Sequence, residues 1–296
     1  MKRRSGRVPF IDNILNGIGQ IMLQENRWTG VLLLTGICIG NLKCGIGVLL
    51  ATTAGTLTAR LLQFNPKEIQ AGLYGFSAGL VGAVLLFLFP EKEMIWFWVV
   101  IGAISASLLQ HFFIRKNIRA YTFPFVAVSW LLIFFLRNYY TRTEATEPVV
   151  FEYATTLSQL SLTGIKGFAQ VIFQSSVLSG LLFFIAVLIN NPLAAGFGLF
   201  GSIAGTLIGR LTGQPADQIY IGLYGFNCVL SCIVIAGFPR SERWLIIPGI
   251  FLTVFIQILL SNLSVFNVLG GVLTFPFVGA VWIIGYLRKT RLRLRL

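Results

Sequence analysis

The chain has 296 residues, of which 56% are hydrophobic and only 11% are charged, and its mean hydropathy is +0.81. Since an ordinary soluble domain carries about 25% charged residues, this composition excludes a water-soluble globular protein. The net charge is +13, but the basic residues gather in the two terminal segments, which fits anionic lipid headgroups and the positive-inside rule better than nucleic acid.

The chain begins with a basic segment, residues 1–7, followed by polar residues such as Asp12 and Asn13 where a cleavable signal would be apolar. We therefore expect an uncleaved cytoplasmic tail. Long apolar runs then follow one another at 31–59, 96–114, 121–136, 177–189 and 245–260. Several are close to the roughly 20 residues that cross a hydrocarbon core, which predicts an all-α, polytopic membrane protein.

The sequence repeats itself at an interval of about 150 residues. Gly-Leu-Tyr-Gly-Phe at 72–76 recurs unchanged at 222–226, and Thr-Phe-Pro-Phe at 122–125 recurs at 274–277. Shared glycines, prolines and glutamines in one order are not expected from chance similarity between apolar helices. We predict two homologous halves, residues 1–150 with the cytoplasmic N-terminal tail and residues 151–296 with a cytoplasmic C-terminal tail.

Charge placement predicts that the two halves are inverted. If each half has about five transmembrane helices and one re-entrant helix near Gly-Leu-Tyr-Gly-Phe, the basic segments 115–119 and 239–243 fall inside. The acidic linker 143–152 and the uncharged segment 261–271 then fall outside. An odd number of spans per half inverts the second half, and broken helices from both halves meet at mid-membrane in such folds.

The embedded segments lack the carboxylates and paired charges that hold a coupling ion. His111 is the only histidine, and we interpret Cys228 and Cys232 as packing residues, so neither a metal site nor a cofactor is expected. No nucleophile with a neighbouring base and no nucleotide-binding loop is visible, which argues against an enzyme. The function that these exclusions leave is the uncoupled movement of a neutral solute across the membrane.

Several polar and aromatic residues occur at equivalent places in both halves. Each has a simple structural explanation, such as a helix end or core packing, but their repetition favours a role in a solute pathway. They are Gln20 and Gln170, Thr122 and Thr274, and Phe76 and Phe226, with Leu80 and Leu230 one helical turn after the phenylalanines.

Three doubled motifs resemble the urea transporter family. These are Gln20–Gln24 and Gln170–Gln174, the Gly-Leu-Tyr-Gly-Phe-Ser/Asn elements, and the two Thr-Phe-Pro-Phe elements. The resemblance, to the channel-like bacterial type, covers nearly the whole chain. It implies a channel of inverted repeats in the plasma membrane or bacterial inner membrane, usually a homotrimer with one pore per subunit, conducting urea down its gradient.

The same resemblance implies which residues bind urea. Where the halves differ, at Leu23 against Phe173, we expect the two ends of the pathway to bind urea unequally. The implied residues are Gln20, Gln170, Leu23, Phe173, Phe76, Phe226, Leu80, Leu230, Thr122 and Thr274.

Other functions remain open from sequence alone. A channel for another small neutral solute, such as ammonia, a short amide or a polyol, is the nearest alternative, although ammonia channels are expected to use paired histidines. A polytopic membrane enzyme would need clustered acid, base or metal ligands at one face. In a structural subunit with no transport activity of its own, the doubled polar motifs would have no function.

Overall fold

The computed structural model describes residues 9–90, 92–137 and 157–293. The basic segment 1–7 and the acidic linker 143–152, on which the topology prediction partly rests, lie outside these ranges. The described residues form 15 α-helices and one 3-10 helix, Arg240–Leu245. The helices before the linker are α1 (Phe10–Gln20), α2 (Arg27–Gly40), α3 (Leu42–Leu61), α4 (Pro66–Gln70), α5 (Phe76–Leu88), α6 (Glu93–Arg115) and α7 (Phe123–Leu136). Those after it are α8 (Leu157–Gln170), α9 (Val177–Asn190), α10 (Pro192–Leu211), α11 (Ala216–Tyr220), α12 (Phe226–Ala236), α13 (Ile246–Ser261), α14 (Ser264–Val268) and α15 (Phe275–Arg293).

Helix length and surface confirm a polytopic membrane protein. Within the described ranges, α3, α6, α10 and the continuous segment Arg240–Ser261 are long and apolar enough to cross a bilayer, and five further apolar helices are shorter. Helix α6 is apolar on both sides, because Val99 and Ala103 are buried while Phe97 and Phe112 are more than half exposed. A helix that is apolar all round faces lipid on its outer side.

Polar caps set the helix starts at equivalent places along the chain. Asn41 ends α2 and begins α3, and its side chain accepts a hydrogen bond from the backbone N–H of Cys44 at 3.0 Å. Asn191 does the same between α9 and α10, accepting from Ala194 at 3.0 Å. Asparagine is among the strongest N-cap residues. As a result, α2 and α9, and likewise α3 and α10, begin and end 150 residues apart.

The equivalent helices α2 and α9 pack against each other in opposite directions. Thr29 on α2 donates to the carbonyl of Ala186 on α9, and Ser179 on α9 donates to the carbonyl of Gly36 on α2, both at 2.8 Å. Thr29 and Ser179 are equivalent residues, and so are Gly36 and Ala186. Reciprocal contacts of this kind are those of a two-fold interface.

A second reciprocal contact joins α7 and α15 to the opposite half. Trp130 donates from Nε1 to the carbonyl of Gly271 at 3.0 Å, and Trp282 donates from Nε1 to the carbonyl of Arg119 at 2.8 Å. Both the tryptophans and the acceptors are 152 residues apart, the offset of the Thr-Phe-Pro-Phe elements. Matched pairs of contacts therefore join the first part of the chain to the second.

Candidate functional site

Thr122 and Thr274 meet in the interior of the molecule. Their Oγ1 atoms are 2.6 Å apart, and the residues are 0% and 1% exposed. Each threonine follows a residue with positive φ, Tyr121 at 49° and Leu273 at 50°, and directly precedes a helix with proline in its first turn. Proline at this place needs no backbone partner for its nitrogen, so each helix can begin directly after the threonine without losing a helix bond.

Gln20 and Gln170 are the last residues of α1 and α8. Three residues later the chain turns at Leu23 (φ 60°) and Phe173 (φ 55°), and the next backbone N–H returns to Gly19 or Ala169 at 3.1 Å in both halves. This geometry is a left-handed helix termination. It holds each glutamine at a helix end, and the Nε2 of Gln20 donates to the carbonyl of Ala71 at 3.0 Å.

Phe76 and Phe226 begin α5 and α12 and are 4% and 6% exposed. Leu80 and Leu230 follow one turn later and are fully buried. All four belong to one hydrophobic core, and Leu23, Phe173 and Tyr121 pack against it. The apolar members of the predicted site thus contribute to one continuous core.

A cavity of about 330 Å³, here called the amide cavity, contains three of the ten predicted residues: Gln170, Phe173 and Phe226. Gln20, Leu23 and Phe76, their counterparts, do not line it. Its walls come from α5, α8, α11, α12 and α13 and from the segment after α13. None of its lining side chains is ionisable, and its polar side chains are Gln170, Gln218, Gln257, Ser261 and Asn267.

The amide cavity can accept a neutral polar solute between apolar walls. Carboxamides offer both donors and acceptors, and Phe87 stacks on Phe173 with ring centroids 5.4 Å apart. A fixed ion in this lining would lose hydration without a counter-charge. No group of three or more His, Cys, Asp or Glu side chains gathers anywhere in the described ranges, so these residues present no metal site.

Sequence reasoning missed Gln218, Gln257, Asn267 and Phe87 as cavity residues. The sequence does contain a signal for Gln257. Gly249 lies eight residues before Gln257, and Gly102 lies eight residues before Gln110 on α6, so the two glutamines occupy equivalent places in the repeat. The offset between these pairs is 147 residues and not 150, because the stretch from Phe226 to Arg240, where the next helical segment begins, is three residues shorter than that from Phe76 to Glu93. A search at one fixed offset overlooks it.

A second cavity, of about 560 Å³ and here called the charged cavity, contains none of the ten predicted residues. Its lining includes Glu68, His111 and Arg115. Tyr74 donates to Glu68 at 2.5 Å and lies 3.1 Å from His111 Nδ1, whose ring stacks on Phe64. The equivalent Tyr224 instead donates to the neutral Gln214 and Gln218 at 2.8 and 3.2 Å. The two halves therefore differ in charge at equivalent places.

Lys166 is a buried charge that the sequence analysis missed. It is 8% exposed on α8, and its Nζ lies 3.4 Å from the ring centroid of Tyr220. The equivalent Asn16 on α1 donates to the carbonyl of Gln70 at 2.8 Å. Asn16 therefore connects α1 to α4, and Lys166 connects α8 to α11. The lysine thus has the same structural role as its counterpart in the first half.

The chain is similar to members of one family of known proteins. The sequence model of a family described as "UT: Urea transporter" matches residues 11–289. The chain is similar to "Urea transporter 1" of Ovis aries, with 29% identity over 260 residues, covering 82% of this chain and 67% of the relative. It is similar to "Urea transporter 1" of Rattus norvegicus at 30% over 251 residues, covering 79% and 65%. The chain thus spans about two thirds of the length of these relatives. With its family model matched along almost the whole chain, this protein belongs to the urea transporter family.

Proposed function

We propose that the protein conducts urea passively across a membrane, through the amide cavity and past the Thr122–Thr274 pair. The observation that carries this proposal is the neutral, carboxamide-lined cavity, together with a buried pair of hydroxyl groups to which both halves contribute. The family is one of transporters and not of enzymes, and two relatives carry urea in their names.

The chemistry of the cavity suits urea, which is flat, uncharged and rich in N–H donors around one carbonyl. Phe173 and Phe226 supply apolar faces, while the amide of Gln170 supplies hydrogen bonds at the edge. Each neutral hydrogen bond contributes about 1 kcal/mol net. A few such bonds hold the solute weakly, which permits easy exit.

The pathway that we propose uses all ten residues predicted from the sequence. Gln170, Phe173, Phe226 and Leu230 would form the half that opens to the amide cavity, and Gln20, Leu23, Phe76 and Leu80 the other. Thr122 and Thr274 would form the constriction between them. The packing of the apolar members in one core and the direct contact between the two threonines support this assignment.

We propose further that residues 1–150 and 151–296 are inverted repeats, each with about five spans and one re-entrant segment at the Gly-Leu-Tyr-Gly-Phe turn. The antiparallel packing of the equivalent helices α2 and α9 supports inversion, because a two-fold axis that relates antiparallel spans lies in the membrane plane. In inverted halves, the end of α5 and the short helix α11 of the other half reach the same side of the membrane. The amide cavity is consistent with this, because Leu88 at the end of α5 and Gln218 on α11 both line it.

Both termini are proposed to lie in the cytoplasm. Basic residues at two helix ends support this arrangement: Arg115 ends α6 and lines the charged cavity together with Leu62, which directly follows α3 and its last-turn Arg60. Trp282 on α15 donates to the carbonyl of Arg119 in the loop after α6. Basic residues grouped in this way are what the positive-inside rule expects of a cytoplasmic face. The homotrimer, the plasma or bacterial inner membrane and the bacterial type stay predictions, and a pathway within one chain is compatible with one pore per subunit.

Urea efflux from liposomes, followed by stopped-flow light scattering, tests the function. Vesicles with inserted, folded protein should release urea faster than empty vesicles, and the rate should not change with membrane potential. A rate equal to that of empty vesicles would contradict urea conduction. A urea-dependent current would point to ion coupling instead.

A further inference from the structure

Gln257 on α13 is held in one orientation at the wall of the amide cavity. The residue is 1% exposed and lines the cavity together with Gln170 and Phe226. Its Nε2 donates to the carbonyl of Leu223 at 2.6 Å, and its Oε1 accepts from Nδ2 of Asn227 at 3.1 Å. Because oxygen and nitrogen have different partners, the amide cannot flip without losing both bonds.

The two bonds leave part of the amide available. A glutamine side chain has two N–H donors and two lone pairs on its oxygen. The bonds to Leu223 and Asn227 use one donor and one lone pair. One donor and one acceptor therefore remain on a side chain that lines a cavity of about 330 Å³.

Asn227 connects this amide to the constriction. Its Nδ2 also donates to the carbonyl of Leu273 at 3.2 Å, and its Oδ1 accepts from the backbone N–H of Phe277 at 3.4 Å. Asn227 directly follows Phe226, and Leu273 directly precedes Thr274. One buried carboxamide thus links α12, α13 and the start of α15.

In the described part of the first half this network is absent. Ser77 stands at the place of Asn227, and Gln110 stands at the place of Gln257, eight residues after Gly102. Within the described residues, Ser77 Oγ and Gln110 Oε1 are buried without a hydrogen-bond partner. The serine side chain is shorter than asparagine, and its hydroxyl makes no bond to Gln110 of the kind that holds Gln257.

We propose that Gln257 is a solute-contacting residue that sets the affinity of the amide cavity for small neutral amides, and that Asn227 positions it. The solute carbonyl accepts from the remaining N–H of Gln257, and a solute N–H donates to the remaining lone pair. This inference rests on the proposed function and adds a contact that only the second half has in a fixed orientation.

Gln257→Met tests the contact, because methionine has a similar length and makes no comparable hydrogen bond. The concentration of urea that half-saturates tracer exchange in liposomes should rise about fivefold, the factor expected for one neutral hydrogen bond. Maximal exchange per folded protein should change less than twofold. The matched control is Gln110→Met, which makes the same change outside the amide cavity and should shift half-saturation less than twofold.

Asn227→Ser tests positioning, because it gives the second half the residue of the first. Half-saturation should rise, and the double variant Asn227→Ser/Gln257→Met should resemble Gln257→Met alone, since Asn227 acts through Gln257. Multiplicative effects in the double variant would overturn the positioning role. Unchanged half-saturation in Gln257→Met, or a loss of maximal exchange alone, would overturn the contact. Absence of urea exchange in the unmodified protein would instead refute the proposed function.

Discussion

At the scale of single residues, Thr122 and Thr274 have two possible roles. A bond of 2.6 Å between buried hydroxyls ties the two halves together. Each hydroxyl has one hydrogen and two lone pairs, so the pair keeps a hydrogen and several lone pairs for a passing solute. The structural role of the pair and its role in conduction can be tested separately, because valine has the shape of threonine without its hydroxyl.

Thr274→Val should destabilise the protein by about 1–3 kcal/mol, since it leaves Thr122 buried without a partner. The double variant Thr122→Val/Thr274→Val should recover much of that stability, because both polar groups are gone. Urea flux should remain reduced in the double variant if the hydroxyls line the pathway. Thermal unfolding in detergent and liposome efflux measure the two effects, and flux that recovers together with stability would leave the pair a structural role only.

Gln170→Leu should lower urea flux about fivefold, the loss expected for one hydrogen bond, because it removes the amide that lines the cavity. Stability should change little, since leucine suits the surrounding apolar walls. Gln174→Leu is the matched control, because Gln174 is buried, does not line the amide cavity and donates to the carbonyl of Ile172 at 3.2 Å. We expect the control to affect stability more than flux. Equal flux in Gln170→Leu and the unmodified protein would remove Gln170 from the pathway.

At the scale of helices and turns, backbone conformation repeats even where side chains differ. Leu23 and Phe173 share a positive φ, as do Tyr121 and Leu273. The sequence analysis treated Leu23 and Phe173 as a difference between the halves, but their shared turn geometry gives both glutamines the same helix end. Glycine at equivalent places was visible in the sequence, whereas a left-handed leucine or tyrosine carries no such signal.

Gly72, in the Gly-Leu-Tyr-Gly-Phe element, should tolerate alanine poorly. Its φ is +77°, and a Cβ there would lie 2.3 Å from the backbone nitrogen of Gly17 on α1. Gly213 has a similar φ of +70° but open space around it, and its counterpart is the non-glycine residue Gln63. We expect Gly213→Ala to cost about 1–2 kcal/mol, from the left-handed conformation alone.

Gly72→Ala should cost about 1–3 kcal/mol more than Gly213→Ala, because overpacking adds to the same conformational cost. It should also reduce urea flux, since α1 carries Gln20 at its end. Unfolding temperature and liposome efflux provide the measurements. Similar stability losses in the two variants would show that the close approach to Gly17 does not constrain the turn.

Sequence patterns predicted the all-helical membrane fold, and the doubled motifs singled out Gln170, Phe173 and Phe226, which line the amide cavity. They missed what depends on loops of unequal length and on single substitutions. The offset of 147 residues concealed Gln110 and Gln257, and the exchange of Ser77 for Asn227 determines which glutamine is fixed. Neither the segment after α13 that closes the amide cavity nor the buried Lys166 has a signal in hydrophobic periodicity.

At the scale of the whole molecule, reciprocal contacts relate the halves while their polar groups differ. Trp130 and Trp282 make the same bond to opposite halves. The amide cavity has only neutral side chains, whereas the charged cavity includes Glu68, His111 and Arg115. The two halves therefore share equivalent contacts but have cavities of different charge. Inversion would place the amide cavity and the charged cavity on opposite sides of the membrane.

Inversion predicts that equivalent loops face opposite sides of the bilayer. Lys116, after α6, and Leu263, after α13, are both exposed and occupy corresponding loops. In a background with the four native cysteines replaced by alanine and urea flux retained, Lys116→Cys should react with an impermeant maleimide in inside-out vesicles. Leu263→Cys should react in right-side-out vesicles. Parallel repeats would expose both cysteines on the same side, because equivalent loops of parallel halves share a face. Labelling of both variants from one side would therefore contradict the inverted arrangement while leaving the two-fold contacts between the halves in place.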